Sequence, residues 1–195
     1  MYSFRYPQVD PSDPSAERIN AFYQYRADDA VGFDVPMNAD YYRTLDPEED
    51  VTVRIDYQVT CNNEDFFSVL IRTVQGDLET WAGHTFSRKD LKPGLSVALP
   101  YLLGILDSAE TDTWLQDRQT GKADSLVREM VWERLEEMGI TDGLEEEMLE
   151  YGFFPEEDFY LDETGNPVFY LQPGFAEEGE ALTFPLSIEE IRDEM

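Results

Sequence analysis

The residues of this chain best suited to nucleophilic or acid-base chemistry are a single histidine, His84, and a single cysteine, Cys61. Histidine activates a serine or cysteine only where the fold brings the two side chains together, and no serine or cysteine here stands in a nucleophile motif. A reactive thiol also needs a cationic neighbour, and none is evident near Cys61. We therefore predict structural roles for both residues. An enzyme would require His84 to lie in a cleft beside a carboxylate or Cys61.

No spacing in the sequence is typical of a metal or cofactor site. There is no histidine pair, and the DETGN segment at 162–166 lacks the later glutamate of a calcium loop. One cysteine forms neither an internal disulfide nor a thiolate zinc cluster. The glycine-rich phosphate loop with its lysine is absent. Among 43 acidic residues, the carboxylate pairs of glycoside hydrolases cannot be recognised from spacing. We predict no catalytic residues, no metal and no cofactor.

The elements that would position these residues are strands joined by short turns, together with several helices. Alternation of apolar and polar residues predicts strands at 2–9, 51–60, 67–73, 78–86, 159–161, 168–171 and 181–186. Helical spacing and capping residues predict helices after Asp13-Pro14, at 100–105, at 122–138 before Gly139, from Asp142 with Glu145 through Leu149, and after Ser187 with Glu190. Residues 28–50 are predicted as loop or a poor strand, and 90–94 as a turn. These elements predict one α+β domain over 1–195, an antiparallel meander with helices on one face.

The composition supplies enough apolar residues for a hydrophobic core, and the net charge limits the kinds of molecule that this chain can bind. Apolar residues make up 42% of the chain and aromatic residues 13%, whereas 43 acidic and 14 basic residues give a net charge of −29. Such a charge repels nucleic acid and anionic membrane surfaces and attracts basic proteins. Solubility alone is the competing explanation. No apolar run approaches the roughly 18 residues of a membrane span, and the first residues do not resemble an export signal.

Four stretches, in order along the chain, resemble segments of one domain family. They are YPQV at 6–9 with Ile19-Asn20, the strand pair 56–60 and 67–69, the segments WAGHT at 81–85 and DLKPGL at 90–95, and the closing hairpin and strand at 159–173 and 182–186. The family is the extracytoplasmic domain shared by the anti-sigma-V factor and peptidoglycan deacetylase C. Residues 1–30 resemble the accessory part of the deacetylase, and residues 50–195 resemble the C-terminal part of the anti-sigma-V factor.

The resemblance implies an extracytoplasmic α+β domain that binds a protein. In the anti-sigma member this domain binds lysozyme, a basic protein, and the loop after Pro173 belongs to the region that faces it. The resemblance therefore implies Pro173 and Phe175 as ligand-binding positions, with a turn proline and a core aromatic as their alternative roles. We expect a non-enzymatic sensor or binding domain for a basic protein, with no membrane insertion by this chain.

Two other function classes stay open at this point. One is an accessory module of a carbohydrate-active cell-wall enzyme. The other is an acidic inhibitor or immunity-type protein that occupies the basic active site of another protein. A protein of that class would be cytoplasmic.

Overall fold

Seven strands form two sheets in the computed structural model, which describes residues 2–37, 52–89, 93–107, 111–176 and 179–195. The four strands of sheet 1 lie in chain order: β1 (Tyr2–Phe4), β2 (Val53–Asn62), β3 (Phe66–Gln75) and β4 (Leu78–Ser87). Strand β1 pairs parallel to β2, and β2, β3 and β4 form an antiparallel meander. Sheet 2 is antiparallel and contains β5 (Phe159–Leu161), β6 (Pro167–Leu171) and β7 (Leu182–Pro185).

Five α-helices accompany these strands among the described residues. They are α1 (Ala16–Asp29), which continues into a π-helical segment (Ala30–Asp34), α2 (Leu99–Leu102), α3 (Thr113–Met138), α4 (Met148–Gly152) and α5 (Ile188–Asp193). The predicted α+β class and the predicted meander are therefore confirmed.

Sheet 1 has two differently covered faces because its side chains alternate along each strand. On one face, Ile55 and Val69 pack with Ile19 and Tyr23 of α1 in one hydrophobic cluster. On the other face, the Ser68 hydroxyl accepts a hydrogen bond from the Leu161 backbone N–H of β5 in sheet 2. A second cluster, built mainly from α3 and sheet 2, forms the rest of the core. The second sheet against the meander is a feature that the sequence did not predict.

Several predicted element boundaries were wrong. The first strand ends at Phe4 rather than at position 9. The long helix begins at Thr113, earlier than predicted, because Asp112 Oδ1 accepts hydrogen bonds from the backbone N–H groups of Trp114 and Leu115 and caps it there. Residues 28–37 are mostly helical rather than loop. The rest of that predicted loop, 38–50, and positions 90–92 of the predicted turn lie outside the described residues.

Two of the predicted helix caps are present in the structure, and one is not. The Ser187 and Glu190 capping box is present, and Gly139 ends α3 with a φ of 70°. The capping box predicted at Asp142 and Glu145 is wrong, because α4 begins only at Met148 and has no side-chain cap. The cap predictions were thus correct at α3 and α5 and wrong at α4.

Candidate functional site

A cavity of about 550 Å³ lies between β4, α1 and the segment 152–159. Strand β4 contributes Trp81 and His84, α1 contributes Phe22 and Arg26, and Tyr170 at the end of β6 closes one side. The lining therefore combines aromatic rings with charged groups, which is typical of ligand pockets that fix a polar group against apolar walls.

His84 is the titratable residue on the β4 wall of the cavity. Its Nδ1 lies 3.2 Å from the Tyr23 hydroxyl oxygen, and its ring meets Phe22 edge-on. Burial, and secondarily the charge of Arg26, lowers the pKa of His84 to about 4, so that the imidazole is neutral at neutral pH. The hydrogen-bond partner of this histidine among the described residues is a tyrosine, whereas in hydrolytic triads a carboxylate orients the base.

Three consecutive acidic residues, Glu156, Glu157 and Asp158, also line the cavity. The buried Asp158 carboxyl accepts hydrogen bonds from the Phe154 backbone N–H at 2.8 Å and from the Gln172 amide at 3.2 Å. Burial raises the pKa of Asp158 to about 6, against these hydrogen bonds, because desolvation disfavours the charged form. His84 thus shares its cavity with carboxyl groups, which is the arrangement that an enzyme would require. Both Asp158 oxygens, however, already accept hydrogen bonds from Phe154 N and the Gln172 amide.

Glu156 also forms a buried carboxyl pair with Asp124 of α3. Asp124 Oδ1 and Glu156 Oε2 are both buried, and no donor among the described residues reaches either oxygen. Burial, and then the Glu156 carboxyl, raises the pKa of Asp124 to about 8. The Asp124 carboxyl therefore favours its protonated form more strongly than an exposed aspartate does.

Contacts between the two sheets hold the β4 wall in place. The Gln172 side chain accepts a hydrogen bond from Trp81 N at 2.8 Å and donates one to Trp81 O at 2.9 Å. The Tyr170 hydroxyl accepts a hydrogen bond from Gly83 N at 2.8 Å. A Cβ at Gly83 would lie 1.7 Å from the Phe159 carbonyl oxygen, so only glycine fits at this crossing.

A second surface, which we call the acidic face, follows the outer side of α3. Two grooves of about 320 and 390 Å³ flank the helix, bounded by residues 190–194 on one side and 146–150 on the other. Eight glutamates and two arginines line them: Glu129, Glu133, Glu137, Glu146, Glu147, Glu150, Glu190, Glu194, Arg128 and Arg134. Two exposed aromatic residues follow the second groove along the chain: Tyr151 is 81% exposed and Phe154 is 44% exposed.

The two positions implied by the family resemblance lie beside the cavity but do not line it. Pro173 stands in a turn closed by the hydrogen bond from Phe175 N to Gln172 O at 3.0 Å, and Gly174 takes a φ of 84°, as a type II turn requires. The Phe175 ring is half-buried and packs against Gly152 of α4. These contacts match a turn proline and a core aromatic, and ligand binding by Pro173 and Phe175 stays a prediction.

Cys61 lies apart from His84, in the cluster formed by α3 and sheet 2. Only 1% of its surface is exposed, and its sulfur accepts a hydrogen bond from Asn63 Nδ2 at 3.3 Å. Burial raises the pKa of the Cys61 thiol. The side chain is therefore a protonated, packed thiol rather than a thiolate nucleophile.

Sequence reasoning missed the acidic stripe on α3 and the exposed aromatics, and it interpreted the acidic run at 156–158 as solvated surface, whereas Asp158 is buried. The spacing of Glu129, Glu133 and Glu137 is readable from the sequence, because residues four apart share one helix face. The exposure of Tyr151 and Phe154 carries no sequence signal, since aromatic residues are more often buried.

Within the described ranges, no group of three or more histidine, cysteine or acidic residues is arranged to hold a metal ion. Nor does any helix in that part of the chain have the length and apolar character needed to cross a membrane. No protein-family model matches the chain, and no curated protein matches its sequence.

Proposed function

We propose that this chain is a non-enzymatic, extracytoplasmic binding domain whose ligand is a basic protein such as a lysozyme. The observation that carries the proposal is the concentration of negative charge on the acidic face. Residues 125–195 hold 21 acidic and 3 basic side chains, and eight of those glutamates line the two grooves beside α3. Opposite charge on a partner accelerates association and selects against acidic competitors.

The arrangement of the glutamates favours recognition over simple solubility. Glu129, Glu133 and Glu137 follow one another at four-residue spacing on α3, and like charges at that spacing destabilise a helix by roughly 0.2–0.5 kcal/mol per pair. Arg134 offsets part of this repulsion by ion pairs with Glu137 at 3.0 Å and Glu190 at 2.6 Å. Solubility requires charge but not its alignment in one stripe, whereas a cationic partner would relieve the repulsion.

Exposed aromatic side chains provide the apolar contact that charge alone lacks. Tyr151 and Phe154 are held by α4 and by the turn in which Asp158 accepts a hydrogen bond from Phe154 N. Aromatic residues are enriched among the side chains that contribute most to protein interfaces. An acidic surface with two such residues at its border suits a basic protein better than a small anion or a nucleic acid.

Calorimetric titration with a c-type lysozyme at low and high salt tests the proposal. We expect saturable binding at low ionic strength that weakens at least about tenfold when the salt concentration reaches about 0.5 M, because the screening length falls to a few ångströms. Absence of binding heat at low salt would reject lysozyme as the ligand.

Matched variants separate the acidic face from total charge. The variant Glu129→Gln, Glu133→Gln and Glu147→Gln removes three charges from the face, and we expect it to weaken binding about tenfold or more. The control Asp29→Asn, Asp77→Asn and Glu163→Gln removes three exposed charges elsewhere and is expected to change the affinity less than about threefold. Equal losses in both variants would contradict a localised docking face.

A further inference from the structure

Aromatic and acidic side chains both line the cavity beside β4. Phe22, Trp81 and Phe154 supply aromatic surface, and Glu156, Glu157 and Asp158 supply carboxyl groups. Its volume of about 550 Å³ accommodates a group of side-chain size with several waters. The cavity is separate from the two grooves of the acidic face, although Phe154 lies at the border of both.

The charged groups around this space are predominantly acidic. Arg26 of α1 is the lining cation among the described residues, against the three carboxyls of 156–158. Behind them, the buried Asp124 lies beside Glu156, and each of these two residues has a carboxyl oxygen for which the described part of the chain supplies no hydrogen-bond donor. Arg128 is the cation that influences Asp124 from the α3 side. A bound cation would offset the cost of placing these carboxylates in a poorly solvated wall.

The aromatic lining already stacks with guanidinium groups. Arg72 lies over the Trp81 ring at 4.8 Å, and Arg26 lies over the Phe22 ring at 5.3 Å. Phe154, in contrast, is 44% exposed and has no ring or cation contact among the described residues. A planar guanidinium suits this combination, because it stacks on aromatic faces and donates two parallel hydrogen bonds to a carboxylate.

We propose that this cavity binds an organic cation that carries a guanidinium group, with the cation between the aromatic wall and the carboxyls of Glu156 and Glu157. The group comes either from an arginine side chain of a protein ligand or from a free guanidinium compound. The inference goes beyond the proposed function and does not depend on it, since a small cation fills the cavity without any contact to the acidic face.

Titration of the ¹⁵N-labelled chain with N-acetyl-arginine amide, followed by NMR, tests the proposal. The neutral isostere N-acetyl-citrulline amide is the matched control ligand. We expect saturable shifts of amide signals at 81–85 and 152–158, and an affinity at least about tenfold higher for the arginine compound. Equal affinity for the two compounds, or no saturable shift at these segments, would overturn the inference. Tighter binding of a neutral chitooligosaccharide at the same signals would also overturn it.

Substitutions of Glu156 and Glu157 provide a second test in the same titration. Glu157→Gln removes an exposed charge, and Glu156→Gln keeps a donor for the Asp124 carboxylate, so that both substitutions preserve the local packing. We expect the double variant to bind the arginine compound at least about tenfold more weakly, while the control Glu145→Gln with Glu163→Gln binds as the unmodified chain does. Unchanged affinity in a folded Glu157→Gln variant and in the double variant would refute the site.

The same variants identify the source of the guanidinium. If the double variant also weakens lysozyme binding, the cation is an arginine side chain of the protein ligand. If lysozyme binding is unchanged and the arginine compound is lost, the ligand is a free compound. Failure of lysozyme to bind, with the arginine compound still bound at 152–158, would reject the proposed function and leave this site standing.

Discussion

Substitution of Gly83 by alanine is predicted to separate the two sheets. Gly83 has no positive φ, so alanine is acceptable to its backbone, but a Cβ there would lie 1.7 Å from the Phe159 carbonyl oxygen and 2.6 Å from its carbonyl carbon. Both atoms belong to the backbone of β5 and cannot rotate away. Ordinary contact at about 3.2–3.4 Å would require β5 to shift by roughly 1.5 Å relative to β4.

A shift of that size breaks the hydrogen bonds that join the sheets at this crossing. The Leu161 N–H would lose the Ser68 hydroxyl at 2.9 Å, and the Gly83 N–H would lose the Tyr170 hydroxyl at 2.8 Å. A buried donor left without a partner costs about 1–3 kcal/mol, so the two losses together lower the free energy of unfolding by about 2–6 kcal/mol. That is a large fraction of the roughly 5–15 kcal/mol that stabilises a domain.

Urea unfolding monitored by circular dichroism and by tryptophan fluorescence measures this effect. Gly121→Ala is the matched control, because Gly121 lies in α3 with no atom within 4 Å of its Cβ position. The control is expected to stabilise the protein by about 0.5–1 kcal/mol, since alanine has the higher helix propensity. A Gly83→Ala protein destabilised by less than about 1 kcal/mol, with an unchanged midpoint relative to the parent, would refute the crossing geometry.

Two further predictions concern titration and the loop at 173–175. The raised pKa values of Asp158 (about 6) and Asp124 (about 8) mean that the folded state binds more protons than the unfolded state, so these groups lower stability as the pH rises from about 4 to 8. Asp124→Asn should flatten that decline in pH-dependent urea unfolding, and an identical slope would contradict the buried pair. Phe175→Ala should lower the free energy of unfolding by about 1–3 kcal/mol, because the half-buried ring packs on Gly152; weaker lysozyme binding without lost stability would instead favour a ligand contact.

Much of the secondary structure was determined by local patterns in the sequence. Alternating apolar residues over 53–59 predicted β2, and the polar turn at 62–65 predicted its return as β3. The glycine loop at 162–166 predicted the β5–β6 hairpin, in which Gly165 has a φ of 89°. These features follow from interactions between near neighbours in the chain, which a sequence displays directly.

The site depended on contacts between residues far apart in the chain. Gln172 bonds the backbone of Trp81, and the segment 156–158 meets β4 only because sheet 2 lies across the meander. No local pattern marks which residues face each other after such a crossing, although a glycine inside a strand, Gly83, is a sign of close backbone approach.

Composition determined that the chain is strongly acidic, but not where the charge acts. The surplus of 43 acidic over 14 basic residues opposes binding to the phosphate backbone of nucleic acids. Tertiary structure decided which carboxyls are buried, as at Asp158 and Asp124, and which line open grooves, as along α3. The physical reason is that solvation, unlike formal charge, depends on every element that packs around a group.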